Sequence, residues 1–295
     1  MYSQEKYGDI IKSAGITEYK TDENLSGYCS YGTGGNCDVM FFPKNGDEFK
    51  NLLRALKDKT DFFYLGNGTN VLVGDNGYEG AVINTRKLIN LDVNGRIITA
   101  EAGVLVKDVI NLAVNSSLGG LEFLSGLPAT VGGAVAMNAG CFDKTVGDSV
   151  AYVVTADKVY NRQDCCFGYR KSRFTENCEG IISVGFSLIN SEYETVLSKT
   201  DYYRNLRRNK HPAGRSCGSV FKNDGYFAGK VIENAELKGI RIGGARVSDK
   251  HANFIIAENG ATSADIYNLI NFIKVTVKKK LDISLTEEIR YIGKF

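Results

Sequence analysis

The sequence has almost no net charge, no C-x-x-C cysteine pair, hardly any histidine and no long apolar run, and each lack removes a class of function. Its 36 basic and 34 acidic residues leave a formal charge of +2, so charge gives no reason to expect nucleic acid or a membrane surface as partner. No apolar run approaches the roughly 20 residues that span a bilayer. The opening stretch, MYSQEKYGDIIKSAG, carries acidic residues and lacks the apolar core of a signal peptide, so a cytoplasmic protein is expected. Seven cysteines, at positions 29, 37, 141, 165, 166, 178 and 217, are odd in number and contain no C-x-x-C pair. Neither a disulfide framework nor a zinc site is indicated. The two histidines, His211 and His251, cannot hold a metal without carboxylate help, and no metal is expected.

What the chain does have is glycine in telling places. Residues 127–140, LPATVGGAVAMNAG, hold three glycines and four alanines in fourteen positions, with no charge. Gly132 and Gly133 are poor choices for helix stability, since each costs about 1 kcal/mol relative to Ala in a helix interior. They suit close approach, either of another packed element or of a ligand such as a diphosphate or a planar ring that backbone N–H groups could reach. A second glycine turn, Leu65-Gly66-Asn67-Gly68-Thr69-Asn70, lies between the apolar runs 62–64 and 71–73. It is not the dinucleotide-binding G-x-G-x-x-G, because a strand rather than a helix follows it.

With GNGTN at 66–70 and GLPATVGGAVAMNAG at 126–140, the sequence resembles the UDP-N-acetylenolpyruvoylglucosamine reductases, the MurB family, whose flavin-binding half carries G-x-G-S/T-N and G-I/L-P-x-T-V-G-G-A-V-x-M-N-A-G. Three further blocks agree: Tyr169-Arg170-Lys171-Ser172 with Y-R-x-S, residues 218–223 with G-S-x-F-K-N, and residues 288–293 with E-V-R-x-I-G. Two places depart from the pattern. Residues 31–38 keep the Gly-Gly and Asp of the family's basic-aliphatic-GGPAD stretch but lose the basic residue and the proline, and Asp224 stands where proline usually follows. No long insertion separates Arg170 from Ser219, which is similar to the shorter subtype without a tyrosine-bearing loop.

The resemblance implies an α+β protein: a vanillyl-alcohol-oxidase/PCMH-type FAD-binding fold of two α/β subdomains over residues 1–195, with a boundary near 75–85, then an α+β substrate-binding domain over 196–295. It implies non-covalent FAD, NADPH as co-substrate, and reduction of the enolpyruvyl group of UDP-N-acetylglucosamine enolpyruvate to UDP-N-acetylmuramate in peptidoglycan precursor synthesis. The catalytic residues it implies are Arg170, Ser219 and Glu288. Cofactor contacts are expected from Leu65, Gly66, Asn67, Gly68, Thr69, Asn70, Leu127, Pro128, Thr130, Val131, Gly132, Gly133, Ala134, Asn138, Gly140 and Ile182, and substrate contacts from Tyr169, Asn223 and His251. A monomer without nucleic-acid or membrane partners is expected. Alternative readings are a flavin oxidase of the same fold acting on another small substrate, and a non-catalytic nucleotide-binding protein.

Periodicity adds the elements. Helices are expected over 4–14, after an Asp47 N-cap, over 105–116, 194–208 and 226–236, and from a Thr262/Asp265 capping box with a core stripe of Ile266, Leu269, Ile270, Ile273 and Val277. Strands are expected at 39–43, 62–65, 70–73, 80–84, 148–155, 181–189, 218–223, 239–242, 252–257 and 288–293. A hairpin is expected to turn at Asn94-Gly95. If 218–223 is extended, Ser219, Phe221 and Asn223 share one face.

Overall fold

The computed structural model describes residues 2–295. Its helices are α1 (Tyr2–Ala14), α2 (Gly46–Leu56), α3 (Val106–Asn115), α4 (Val131–Ala136), α5 (Arg173–Glu176), α6 (Tyr193–Lys210), α7 (Ala228–Asn234) and α8 (Ser263–Leu281). The chain forms two compact units. Of the described residues, the first comprises those up to Thr21, Val39–Asn67 and Gly80–Arg208; the second comprises Asp22–Asp38, Gly68–Glu79 and Asn209–Phe295.

In the first unit a five-stranded antiparallel sheet runs in the order Val159–Asn161, Val150–Thr155, Ile181–Ser187, Ile97–Glu101, Leu91–Asn94. The short α4 lies against its two strands Ile181–Ser187 and Ile97–Glu101. Strand Phe62–Leu65 runs parallel to Tyr78–Asn84, pairing Phe62 with Ala81, and leads straight into the Gly66 turn. Two local expectations are corrected. The N-cap of α2 is Asn45, whose side chain accepts from the amides of Asp47 and Glu48; a neutral amide oxygen two residues earlier does what Asp47 was expected to do. The hairpin turns at Gly95-Arg96, because Asn94 pairs with Ile97, and Gly95 alone supplies a positive φ of +57°.

In the second unit the antiparallel strands Arg241–Ile242, Ala245–Val247 and Ile255–Ala257 form a small sheet. Against it packs α8, with Ile266, Leu269, Ile270, Ile273 and Val277 all fully buried as their helical spacing predicts. The capping box of Thr262 and Asp265 is present. Asp75 adds a second cap, accepting from Ser263 N (2.8 Å) and Ala264 N (2.9 Å). Strand Arg290–Ile292 pairs in parallel with Val71–Val73. Residues 218–223 are not a regular strand: Val220 and Phe221 are both buried, so burial does not alternate, and only the bridge from Phe221 to Glu287 is sheet-like. The strand Ala245–Val247 was not expected, because three residues flanked by glycine and polar side chains give too short a period to read.

Candidate active site

Within the first unit, Gly66 and Asn67 of the first glycine turn meet the second glycine segment. A Cβ on Gly66 would lie 2.3 Å from Thr130 Oγ1. Asn67 Nδ2 donates to the Pro128 carbonyl at 2.7 Å, so the first turn is buttoned to the second across sixty-one residues of chain. Thr130 also caps α4, accepting from Gly133 N at 3.3 Å. The amides of Val131 and Gly132 donate to the carbonyls of Val104 (2.8 Å) and Ala102 (2.9 Å). These two amides are thus paired within the protein, and of the two close approaches that the sequence left open at Gly132 the packed element is present. A Cβ on Gly132 would sit 2.8 Å from the Ala102 Cβ, so this glycine is needed for packing. Gly133 is different: it is exposed, and an added Cβ would find only Thr130 Oγ1 at 3.3 Å.

The residues expected at the cofactor divide accordingly. Leu65, Gly68, Thr130, Val131, Gly132, Ala134, Asn138 and Ile182 are buried, while Gly66, Asn67, Thr69, Asn70, Leu127, Pro128, Gly133 and Gly140 are partly or fully exposed. Among those of the first unit, the partly or fully exposed residues are Gly66, Asn67, Leu127, Pro128, Gly133 and Gly140. Ile182 sits in the core with its side chain 3.2 Å from where a Gly46 Cβ would be. The exposed rim fits a flavin: from residue 126 to 140 it carries no charge, and at Gly133 the backbone stands open to a flat ring.

Arg170 belongs to the same unit and is fixed to the same segment. It sits in a tight turn whose ends, Gly168 and Lys171, bond each other through N–H···O contacts of 3.0 and 3.3 Å, and its φ is +56°, uncommon for a side chain of this size. Asn138, buried in the glycine segment, donates to the Gly168 carbonyl (2.9 Å) and accepts from Gly147 N (3.0 Å). Ser172 Oγ donates to the Ala136 carbonyl at 2.6 Å. Asn138 and Ser172 thus hold the turn from both sides. The Arg170 guanidinium lies 5.1 Å from the Tyr169 ring centre and 3.3 Å from where a Gly140 Cβ would be. A residue that sequence reading missed is Arg207 on α6, which donates to Ser125 O (3.0 Å), Phe123 O (3.4 Å) and Cys141 Sγ (2.9 Å). Only the fold brings its helix to this segment, so no local pattern announces it.

The second unit collects the other candidates. A cleft of about 250 Å³ is lined by Ser219, Asn223 and His251 together with Lys230, Lys238 and Lys250. Asn223 Oδ1 accepts from Ala228 N (2.9 Å) and so caps α7. Beneath the cleft Asn253, buried to 3% exposure, accepts from Phe221 N (2.9 Å) and donates to Phe221 O (2.8 Å). That pair of bonds holds the segment carrying Ser219 and Asn223 although it is not in a sheet. On its other side Glu288 N donates to Val220 O (2.7 Å) and Lys222 N to Thr286 O (2.8 Å), which brings Glu288 beside the Ser219 segment. Asn70 joins them, its Nδ2 donating to the Glu288 carbonyl at 3.1 Å.

The cleft is cationic. Its one acid, Glu233, takes a 2.6 Å bond from Lys238, which holds its carboxyl below the usual range. Burial pushes the His251 imidazole below its ordinary value of 6.5. Its Nδ1 accepts from Asn253 N (3.2 Å), which leaves the ring proton on Nε2. Gly34 and Gly35, the surviving pair in the altered segment 31–38, have a packing role: added Cβ atoms would lie 2.8 Å from the Val73 Cβ and 2.3 Å from the Asp75 carbonyl oxygen.

Residues 37–162 match the FAD binding domain family, which with the uncharged rim at the two glycine segments makes this an FAD-dependent oxidoreductase. Residues 209–292 match the C-terminal domain family of UDP-N-acetylenolpyruvoylglucosamine reductase. A reductase of that name from Lactobacillus acidophilus is 39% identical over 96% of this chain and 98% of its own. One from Caldanaerobacter subterraneus is 40% identical over 98% of this chain and 97% of its own. The crystal structure of the reductase from Thermus caldophilus superimposes with a TM-score of 0.80 at 31% identity, covering 94% of this chain and 98% of that one. Phl p 4, a glucose dehydrogenase, shares the fold alone, at 14% identity and a TM-score of 0.51 over 64% of this chain. The chain belongs to the UDP-N-acetylenolpyruvoylglucosamine reductase family. No described helix is long and apolar enough to cross a membrane.

Proposed function

We propose that this protein reduces the enolpyruvyl group of UDP-N-acetylglucosamine enolpyruvate to give UDP-N-acetylmuramate, acting in the cytoplasm on a peptidoglycan precursor. The observation that carries the proposal is the convergence of Ser219, Asn223 and His251 on one cationic cleft with Glu288 beside it, in a chain that also has the flavin-type glycine corner. Residues 1–195 serve the flavin and 196–295 the sugar nucleotide. The exposed members of residues 65–70 and 127–140 would hold FAD, which when bound would supply the hydride drawn from NADPH.

The side chains do the rest. Hydride addition to an alkene conjugated to a carboxylate drives negative charge onto the carboxylate oxygens. Arg170 meets that charge with a planar two-pronged donor that stays protonated at any working pH. Its turn is pinned by Asn138 and Ser172, so the cation does not have to be reorganised at the moment of reaction. Ser219 delivers the proton to the adjacent carbon. A hydroxyl is a weak acid, so the charge developing on substrate and the neighbouring cations must ease the transfer. Glu288 holds and polarises the substrate carboxylate. Asn223 and His251 orient the sugar nucleotide in the cleft.

Anaerobic half-reactions test the assignment. Ser219→Ala leaves flavin reduction by NADPH nearly unchanged and slows reoxidation by the enolpyruvyl substrate about 10²–10⁴-fold. Equal loss in both half-reactions makes Ser219 structural and removes the proton-donor role.

A further inference from the structure

We infer that Phe227 is the stacking wall for the nucleobase of the sugar nucleotide, so that the cleft of the second unit reads a nucleoside diphosphate from its base end as well as from its phosphates. This deepens the proposed function and rests on it. Phe227 is 76% exposed, the most exposed large apolar side chain among the described residues, and it lines a cleft that is otherwise strongly polar. An unburied ring leaves apolar area in water that a bound partner would cover. Lys230, Lys238 and Lys250 line the same cleft, the first two beside Glu233 at 3.7 and 2.6 Å.

Its backbone is held on both sides. The Phe227 carbonyl accepts from Lys230 N (2.9 Å) and Val231 N (3.1 Å), the first turn of α7, while Asn223 Oδ1 takes the amide of the next residue. The ring is therefore presented from a fixed main chain, and only its two side-chain torsions have to be ordered on binding.

The pairing of groups selects the chemistry of the ligand. Lys230, Lys238 and Lys250 against the single Glu233 suit a polyanion, and a diphosphate by itself has no use for an aromatic face. A sugar by itself has no use for three ammonium groups. A planar base joined to a diphosphate uses both. Base–aromatic stacking tolerates any base, so Phe227 adds affinity for the nucleotide without choosing uracil over others.

The FAD-loaded protein is titrated calorimetrically with UDP and, separately, with inorganic pyrophosphate, as wild type and as Phe227→Ala, Phe227→Leu and Phe227→Trp. Since the side chain is mostly exposed, all three variants are expected to keep the wild-type melting temperature. UDP affinity is expected to fall about 10-fold in the Ala and Leu variants and to be kept in Trp, with pyrophosphate affinity unchanged throughout. KM for the enolpyruvyl substrate rises by the same factor with kcat within about twofold, the signature of binding shared by ground and transition states. A Leu variant equal to wild type, an Ala variant that binds UDP as well as wild type, or a parallel loss of pyrophosphate binding overturns the stacking role alone. Wild-type protein that binds no UDP overturns the proposed function with it.

Discussion

Asn253 shows how a single buried amide can hold a site that secondary structure does not. The Ser219 segment has one isolated bridge where a strand would have a ladder. The Asn253 side chain replaces part of that ladder by bonding both the N–H and the C=O of Phe221, in surroundings where water cannot substitute. Asn253→Ala is expected to destabilise the protein by about 1–3 kcal/mol through those two unpaired groups and to lower kcat, because Ser219 loses its support. Urea denaturation with an unchanged m value and steady-state kinetics check both halves. A variant of wild-type stability would show that Phe221 finds other partners. The sequence held no sign of this pairing: Asn253 follows His251 by two residues and was given no role of its own, and Phe221 is 32 positions away. Asn138 makes the same point in the first unit. It was expected at the cofactor through resemblance, and its side chain turns out to brace the Arg170 turn.

At the scale of elements, helices were more legible than short strands. The stripe of α8 and its capping box follow from spacing and residue type within a few turns, since 3.6-residue periodicity is local. The second cap is not local. Asp75 reaches the first amides of α8 from 188 positions earlier, a contact set by the course of Gly34-Gly35 past Val73 and Asp75. Asp75→Ala is expected to cost about 1 kcal/mol, because the Thr262 box remains to cap the same turn, and Asp75→Asn should fall between Ala and wild type. Chemical denaturation of the three proteins settles the order; a loss several times larger would mean that Asp75 also holds the Gly34-Gly35 turn. The segment 218–223 reads as a strand by residue type. It is not one because Asn253 and the chain from Thr286 to Glu288 take its backbone bonds singly rather than in a ladder.

For the whole molecule, the shifted groups define the pH range of stability. His251 is depressed by burial, so the unfolded chain takes up its proton first, and stability begins to fall as pH drops below 6.5. Asp265, held low by the Thr262 and Gly244 amides, and Glu258, held low by Arg246, keep their contributions above their ordinary values of 3.8 and 4.5. Those contributions are lost as pH falls further, through the depressed values. On the alkaline side burial raises the Cys29 and Cys37 thiols to about 12 and Cys165 to about 11 from 9.0. Their stabilisation is complete below pH 9 and is lost as pH climbs through the raised values. The melting temperature should therefore be nearly flat from about pH 6.5 to 9 and fall on both sides. Melting curves across pH test this, and a His251→Gln variant should lose the first acid step. A maximum well below pH 6 would contradict it.

What the amino-acid order determined without help was local or compositional: the helices with clear periodicity, the two glycine-rich segments, the blocks that resemble one enzyme family, and the absence of a charge or metal reason for any other partner. Chain folding alone decided which glycines admit a neighbour and which stand open, that Gly66 lies on Thr130, that Asn138 and Asn253 are braces, and that three lysines separated in sequence share a cleft with Phe227. The physical reason is range. Propensity, capping and periodicity act over a turn or two of backbone, whereas burial and hydrogen-bond partners depend on segments that come together only when the core closes.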